Sequence, residues 1–169
     1  MAIARLLQSE FDNYKRQRYN EHNTNKSKLP NFRKIVYLSP SKALCQERYQ
    51  DWSKRLSQID ESIECVLITG DNSNESSGNY GVIHDIASAH IVLTTPEKWD
   101  SITRKWTDNL YLIGSVKLLL IDEVHFIGDG SRGGCLETVI CRMKTVQRAA
   151  IAQKDNCFVS GDEEKRFSR

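Results

Sequence analysis

Apolar residues fall along the chain in two alternating rhythms. Short, mostly apolar runs, Ile35-Val36-Tyr37-Leu38, Cys65-Val66-Leu67-Ile68, His90 to Thr94 and Val116 to Ile121, each end at a breaker or a polar pair. Rich in branched residues and without polar alternation, they predict strands buried on both faces. Between them the period lengthens. Ile3, Leu6, Leu7, Phe11 and Tyr14 share one side of a helix over 3–14, and Cys45, Tyr49, Trp52 and Leu56 share one side of a helix that starts at Ser41. Trp99, Ile102 and Trp106 come together after Thr95-Pro96, and Val139, Ile140, Met143 and Val146 mark a last helix from about Leu136. Thr95 followed by Pro96 is a good helix start, a hydroxyl to cap and a proline where no amide donor is needed. The polar stretches 17–34 and 71–81 read as loops, the first of them basic through Arg18, Lys26, Lys28 and Arg33.

This alternation predicts an α/β fold, a parallel sheet with helices on both faces. In such sheets ligands bind at the carboxyl ends of the strands. The clusters able to do chemistry all follow strands: Ser39-Pro40-Ser41-Lys42, Thr69-Gly70-Asp71, Thr94-Thr95-Pro96-Glu97 and Asp122-Glu123-Val124-His125.

Composition narrows the classes without choosing among them. With 24 Lys+Arg against 22 Asp+Glu over 169 residues, the net charge of +2 neither demands nor excludes nucleic acid. No apolar run approaches a membrane span, and Met1-Ala2-Ile3-Ala4-Arg5 runs into Glu10 and Asp12, unlike a secretory signal, so neither secretion nor membrane insertion is expected. The five cysteines include no C-x-x-C pair, which predicts small buried thiols rather than disulfides or a zinc site.

Asp122 and Glu123 leave a buried strand at its tip, where successive side chains point to opposite sides. They suit two tasks: Asp122 holding Mg²⁺ through its water shell, Glu123 orienting an attacking water. A solvated turn after a strand is the plainer alternative. Thr95, Glu97 and Lys98 open a helix whose free amides and charge suit phosphate, and Ser41-Lys42 opens another; both also read as simple caps. Arg132-Gly133-Gly134 reads as a turn. Trp52, Trp99 and Trp106 read as core, and His84 and His90 as structural. The 169 residues hold no G-x-x-x-x-G-K-[ST] loop, the usual triphosphate grip.

Pro40-Ser41-Lys42-Ala43-Leu44 with Gln46-Glu47-Arg48 resembles motif Ia of superfamily-two helicases. Thr69-Gly70-Asp71 resembles motif Ic, Thr94 to Asp100 motif Ib, and Asp122-Glu123-Val124-His125 the DEVH box, motif II. The DEVH spelling, the run from Thr95 to Trp106 and the run from Arg142 to Gln147 are most similar to the meiotic crossover-promoting ATP-dependent DNA helicases. The resemblance implies a partial RecA-like helicase domain over 1–148, carrying motifs Ia to II but lacking the P-loop strand, and a divergent, flexible tail over 149–169. It implies an ATP-driven translocase that unwinds duplex DNA with three-prime to five-prime polarity in the nucleus, using ATP and Mg²⁺. Asp122 would hold the metal through water, Glu123 would activate the hydrolytic water, and His125 would link the nucleotide to the nucleic-acid side. Pro40, Lys42, Thr95, Glu97 and Lys98 would touch single-stranded or branched DNA.

On this resemblance the chain starts inside the helix after the phosphate loop, lacks the Ser-Ala-Thr motif and the second RecA-like domain, and has Gly134 where relatives carry a proline. A fragment inactive by itself is therefore expected. A non-catalytic nucleic-acid- or protein-binding module and an RNA helicase of the same branch remain alternatives, and oligomeric state is not legible.

Overall fold

A computed structural model describes residues 34–59, 61, 63–70, 78–128, 130 and 133–164. The expected helix over 3–14, the basic loop up to residue 33, Asp71 and Arg132 lie outside the described residues. Four strands, β1 (Lys34–Leu38), β2 (Cys65–Ile68), β3 (Ile91–Thr94) and β4 (Val116–Ile121), form one sheet in the order β2-β3-β1-β4. Every pairing is parallel. Each strand lies within a residue of its sequence expectation.

The helices are α1 (Lys42–Ile59), α2 (Gly78–Ser88), α3 (Pro96–Thr103), the short α4 (Leu110–Ile113) and the long α5 (Gly133–Glu164). α1 covers one face, where Trp52 meets Tyr37 of β1 with ring centroids 5.1 Å apart. The other face carries Val36, Leu38 and Val92 against Ile86 and Ala89, Trp99, Ile113 and the Leu136, Val139, Met143 and Val146 stripe of α5. Helices thus lie on both faces. Leu38, Ile86, Ile91, Leu93 and Trp99 are fully buried, each worth about 2 kcal/mol relative to exposure.

Three expectations need correction. Residues 78–81, read as loop, open α2: Gly78, Asn79 and Gly81 are poor helix formers, yet Val82, Ile83 and Ile86 follow at helical spacing and burial of Ile86 overrides propensity. Trp106 does not share a helix with Trp99. α3 stops at Thr103, whose hydroxyl turns back to the Trp99 carbonyl at 2.8 Å, and Lys105 leaves helical geometry at φ −103°, ψ 45°; Trp106 starts a 3-10 turn that still packs on the core. The thiols are not uniformly buried: Cys45 is, Cys65 and Cys135 are half-buried, and Cys141 is exposed on α5. That helix itself runs on to Glu164, through the segment read as a divergent tail. No described helix is long and apolar enough to cross a membrane.

An ion-pair network centred on the buried Asp100 fastens α3 to α5. Asp100 receives Arg104 through two hydrogen bonds of 2.8 and 2.9 Å, and Arg142 Nη1 donates to Asp100 Oδ1 at 2.7 Å and to Thr103 Oγ1 at 3.0 Å. Burial alone would raise the Asp100 carboxyl, but the hydrogen bonds from Arg104 and Arg142 overcome it and hold the group below the usual carboxylate range.

Candidate functional site

All four strands run the same way, so the clusters that follow them share one edge of the sheet. Hydrogen bonds lace that edge together. Thr94 Oγ1 donates to the Ile68 carbonyl at 2.6 Å, Ser39 N to the Thr94 carbonyl at 3.1 Å and Asp122 N to the Leu38 carbonyl at 2.9 Å. The Cys45 thiol adds a bond of 3.3 Å to the Thr94 carbonyl. The ends of β2, β3, β1 and β4 are thereby tied in series.

At the β1–β4 side of this edge Pro40, Pro96, Glu97, Asp122, Glu123 and Phe126, with Ile121 and Leu136, line a small, partly open cleft. Three clusters far apart in sequence therefore meet. Asp122 accepts from its neighbour's amide, Glu123 N to Oδ1 at 3.0 Å, and from the Tyr37 hydroxyl to Oδ2 at 2.5 Å. Glu123 itself has φ 53°, a left-handed conformation that costs an L-residue roughly 1–2 kcal/mol. The two carboxylates do have separate partners, as expected, but a left-handed turn rather than strand alternation separates them. Glu123 Oε2 lies 3.2 Å from His125 Nδ1, and the exposed His125 ring stacks on Phe126 at 4.7 Å.

The remaining predicted residues divide by role. Thr95 is buried and caps α3, its hydroxyl accepting from Lys98 N at 3.4 Å, so the side chain serves the helix start. Glu97 is exposed at the cleft, whereas Lys98 is half-buried and does not line it. Lys42 is exposed at the start of α1, which Ser41 caps by accepting from Leu44 N at 3.1 Å. Its ammonium lies against Gly70, 3.7 Å from where a Cβ there would stand. Lys42 and Gly70 thus meet towards the β2 side, away from Asp122.

A model of the DEAD/DEAH box helicases matches residues 13–160. The chain belongs to the DEAD/DEAH box helicase family. It is 47% identical over 122 residues to the probable ATP-dependent DNA helicase HFM1 of Homo sapiens, covering 72% of this chain and 8% of that protein. It is 42% identical over 113 residues to the ATP-dependent DNA helicase homolog MER3 of Arabidopsis thaliana, covering 66% of this chain and 9% of that one. The chain therefore spans less than a tenth of the length of these relatives. The DUF1998 helicase MrfA, solved with DNA and AMPPNP, superposes with a TM-score of 0.59 at 26% identity, over 70% of this chain and 16% of that one.

In this DEAD/DEAH box helicase domain the segments read as motifs Ia, Ib and II meet at the cleft, and motifs Ia and Ic meet at Lys42 and Gly70. Two contributors escape the sequence reading. Tyr37 looks like one more apolar strand residue until its pairing with Leu120 sets its hydroxyl beside Asp122; burial first, then the neighbouring carboxylate, pushes its phenol up to about 12. Gly133 was read as part of a simple turn, but a Cβ there would stand 2.2 Å from the Ile127 carbonyl oxygen. Only glycine lets α5 start directly beneath the turn that follows Glu123.

Proposed function

We propose that these residues form part of the ATP- and DNA-facing surface of a helicase that couples ATP hydrolysis to strand unwinding, acting in the nucleus on single-stranded or branched DNA in meiotic recombination. The observation that carries this reading is the meeting of Pro40, Glu97, Asp122 and Glu123 around one cleft at the carboxyl ends of parallel strands. The similarity to ATP-dependent DNA helicases supports it.

Asp122 suits Mg²⁺ held through water. Each of its oxygens accepts one hydrogen bond and keeps a lone pair for a coordinated water. Among the described residues no three His, Cys, Asp or Glu side chains gather into a cage, which fits a cation carried mostly by water and phosphate oxygens. When bound, Mg²⁺ supplies neutralisation of phosphate charge. Glu123, turned out by its backbone, accepts a hydrogen bond from the attacking water and orients it. His125, within 3.2 Å, restrains that carboxylate. Glu97 and Pro40 shape the cleft wall, while Lys42 and Lys98 attract the sugar-phosphate backbone without reading bases.

The 169 residues alone turn over no ATP, because they contain no G-x-x-x-x-G-K-[ST] loop to grip the triphosphate; turnover abolished by Glu123→Gln would overturn that statement. Binding to single-stranded DNA is tested by fluorescence anisotropy against salt. Two phosphate contacts predict an affinity loss of about sevenfold between about 50 and 200 mM salt. Lys42→Ala and Lys98→Ala each reduce the slope by about 0.7. Flat curves at low salt would remove the DNA-facing reading.

A further inference from the structure

Tyr37 is buried to 6% exposure in the middle of the fold, yet its one polar atom reaches the site. Its ring rests on Trp52 of α1. Its hydroxyl donates to Asp122 Oδ2 at 2.5 Å. A phenol has one proton to give, and here it goes to Asp122. Asp122 is thus held from two directions, by the backbone amide of Glu123 on Oδ1 and by Tyr37 on Oδ2. A carboxylate tethered only by the amide next to it would be free to turn about its side-chain bonds.

We propose that Tyr37 is a positioning residue for Asp122, fixing its carboxylate in one rotamer and tying that orientation to the seat of α1 through its ring contact with Trp52. The inference deepens the reading of Asp122 as the metal-bearing acid and rests on it for its functional meaning. α1 carries the DNA-facing Lys42 at its start, so a shift of that helix is transmitted to the acid through one phenol oxygen.

Carbon-13 NMR of the 169-residue chain tests this directly, through three-bond couplings from Asp122 Cγ to its backbone nitrogen and carbonyl carbon. The wild type shows couplings of a single rotamer. Tyr37→Phe, which keeps the ring on Trp52, shows averaged couplings. Trp52→Leu, on the half-exposed side of α1, shows a smaller change in the same direction and carries the measurement if Tyr37→Phe folds poorly. Unchanged Asp122 couplings in both variants overturn the proposal. A second readout uses Mn²⁺ as the probe, followed by water-proton relaxation: Tyr37→Phe weakens binding by about tenfold, and Asp122→Asn removes it. Averaged couplings together with Mn²⁺ binding indifferent to Asp122→Asn would leave the positioning role standing and overturn the metal reading instead.

Discussion

At the amino ends of the strands Lys34 is buried, and its ammonium donates to the Ala87 and Ala89 carbonyls at 2.9 and 2.6 Å, under the last turn of α2. Beside it His90 Nδ1 accepts from Glu64 N at 3.1 Å. At the carboxyl ends, by contrast, Glu97 and Glu123 face the cleft, and Glu123 keeps a strained backbone. One end of the sheet turns its charge inward to close the fold, and the other keeps carboxylates available and pays in strain. The division matches the general placement of ligand sites in parallel sheets. Here the cost is visible residue by residue.

The largest expected break comes where the chemical end is scaffolded. Asp100→Ala leaves the half-buried Arg142 without its carboxylate and should cost ~3 kcal/mol in urea unfolding. The same network has a pH signature. Because the folded Asp100 carboxyl sits below its unfolded value of roughly 3.9, its contribution is complete above that pH and is lost as pH falls through the folded value. Asp100→Asn should flatten the acid limb of the stability curve.

At the sealed end the slope has the same sign but the opposite cause, a charge penalised by burial rather than one held by partners. Burial lowers the Lys34 ammonium to about 8, with Glu64 opposing. Between that value and the unfolded one the unfolded chain binds more protons, so this residue makes stability rise with pH, by up to ~3 kcal/mol. Lys34→Met should remove that rise. The reading is the difference between variant and wild type, since the Cys65 thiol, raised by burial to about 11, pushes the curve the other way in the same range.

Smaller effects sharpen the contrast within the site. Gly133→Ala places a methyl 2.2 Å from the Ile127 carbonyl oxygen and should cost ~2 kcal/mol while displacing the turn Val124–Gly128, seen as shifted amide resonances there. Glu123→Gly should do the reverse, gaining ~0.5–1 kcal/mol in thermal unfolding by relieving φ 53° while removing the carboxylate. A loss of stability in Glu123→Gly would show that the left-handed residue is not strained.

The strands were legible because unbroken apolar runs such as Ile35 to Leu38 and Ile91 to Leu93 have one economical use, the inside of a parallel sheet. The Thr95-Pro96 start of α3 was legible because capping is local chemistry, and the cap bond to Lys98 N is present. The acids were legible for the same reason, being placed by the end of their own strand. α2 was hidden because its glycines speak for a loop and only the tertiary burial of Ile86 overrules them. Tyr37 and Gly133 were hidden because their importance lies in what other segments bring to them: β4 beside β1, and the carbonyl of Ile127. Neighbours in the sheet are not neighbours in the chain, and no local pattern announces them.

The close approach at Gly133 has a mechanical corollary. α5 is 32 residues long, a rod of about 48 Å, and its root is wedged against the loop that carries His125. Its first half, clamped by Leu136, Val139, Met143 and Val146 and by the Arg142–Asp100 pair, moves as one body with the turn at Ile127, a few residues from Glu123.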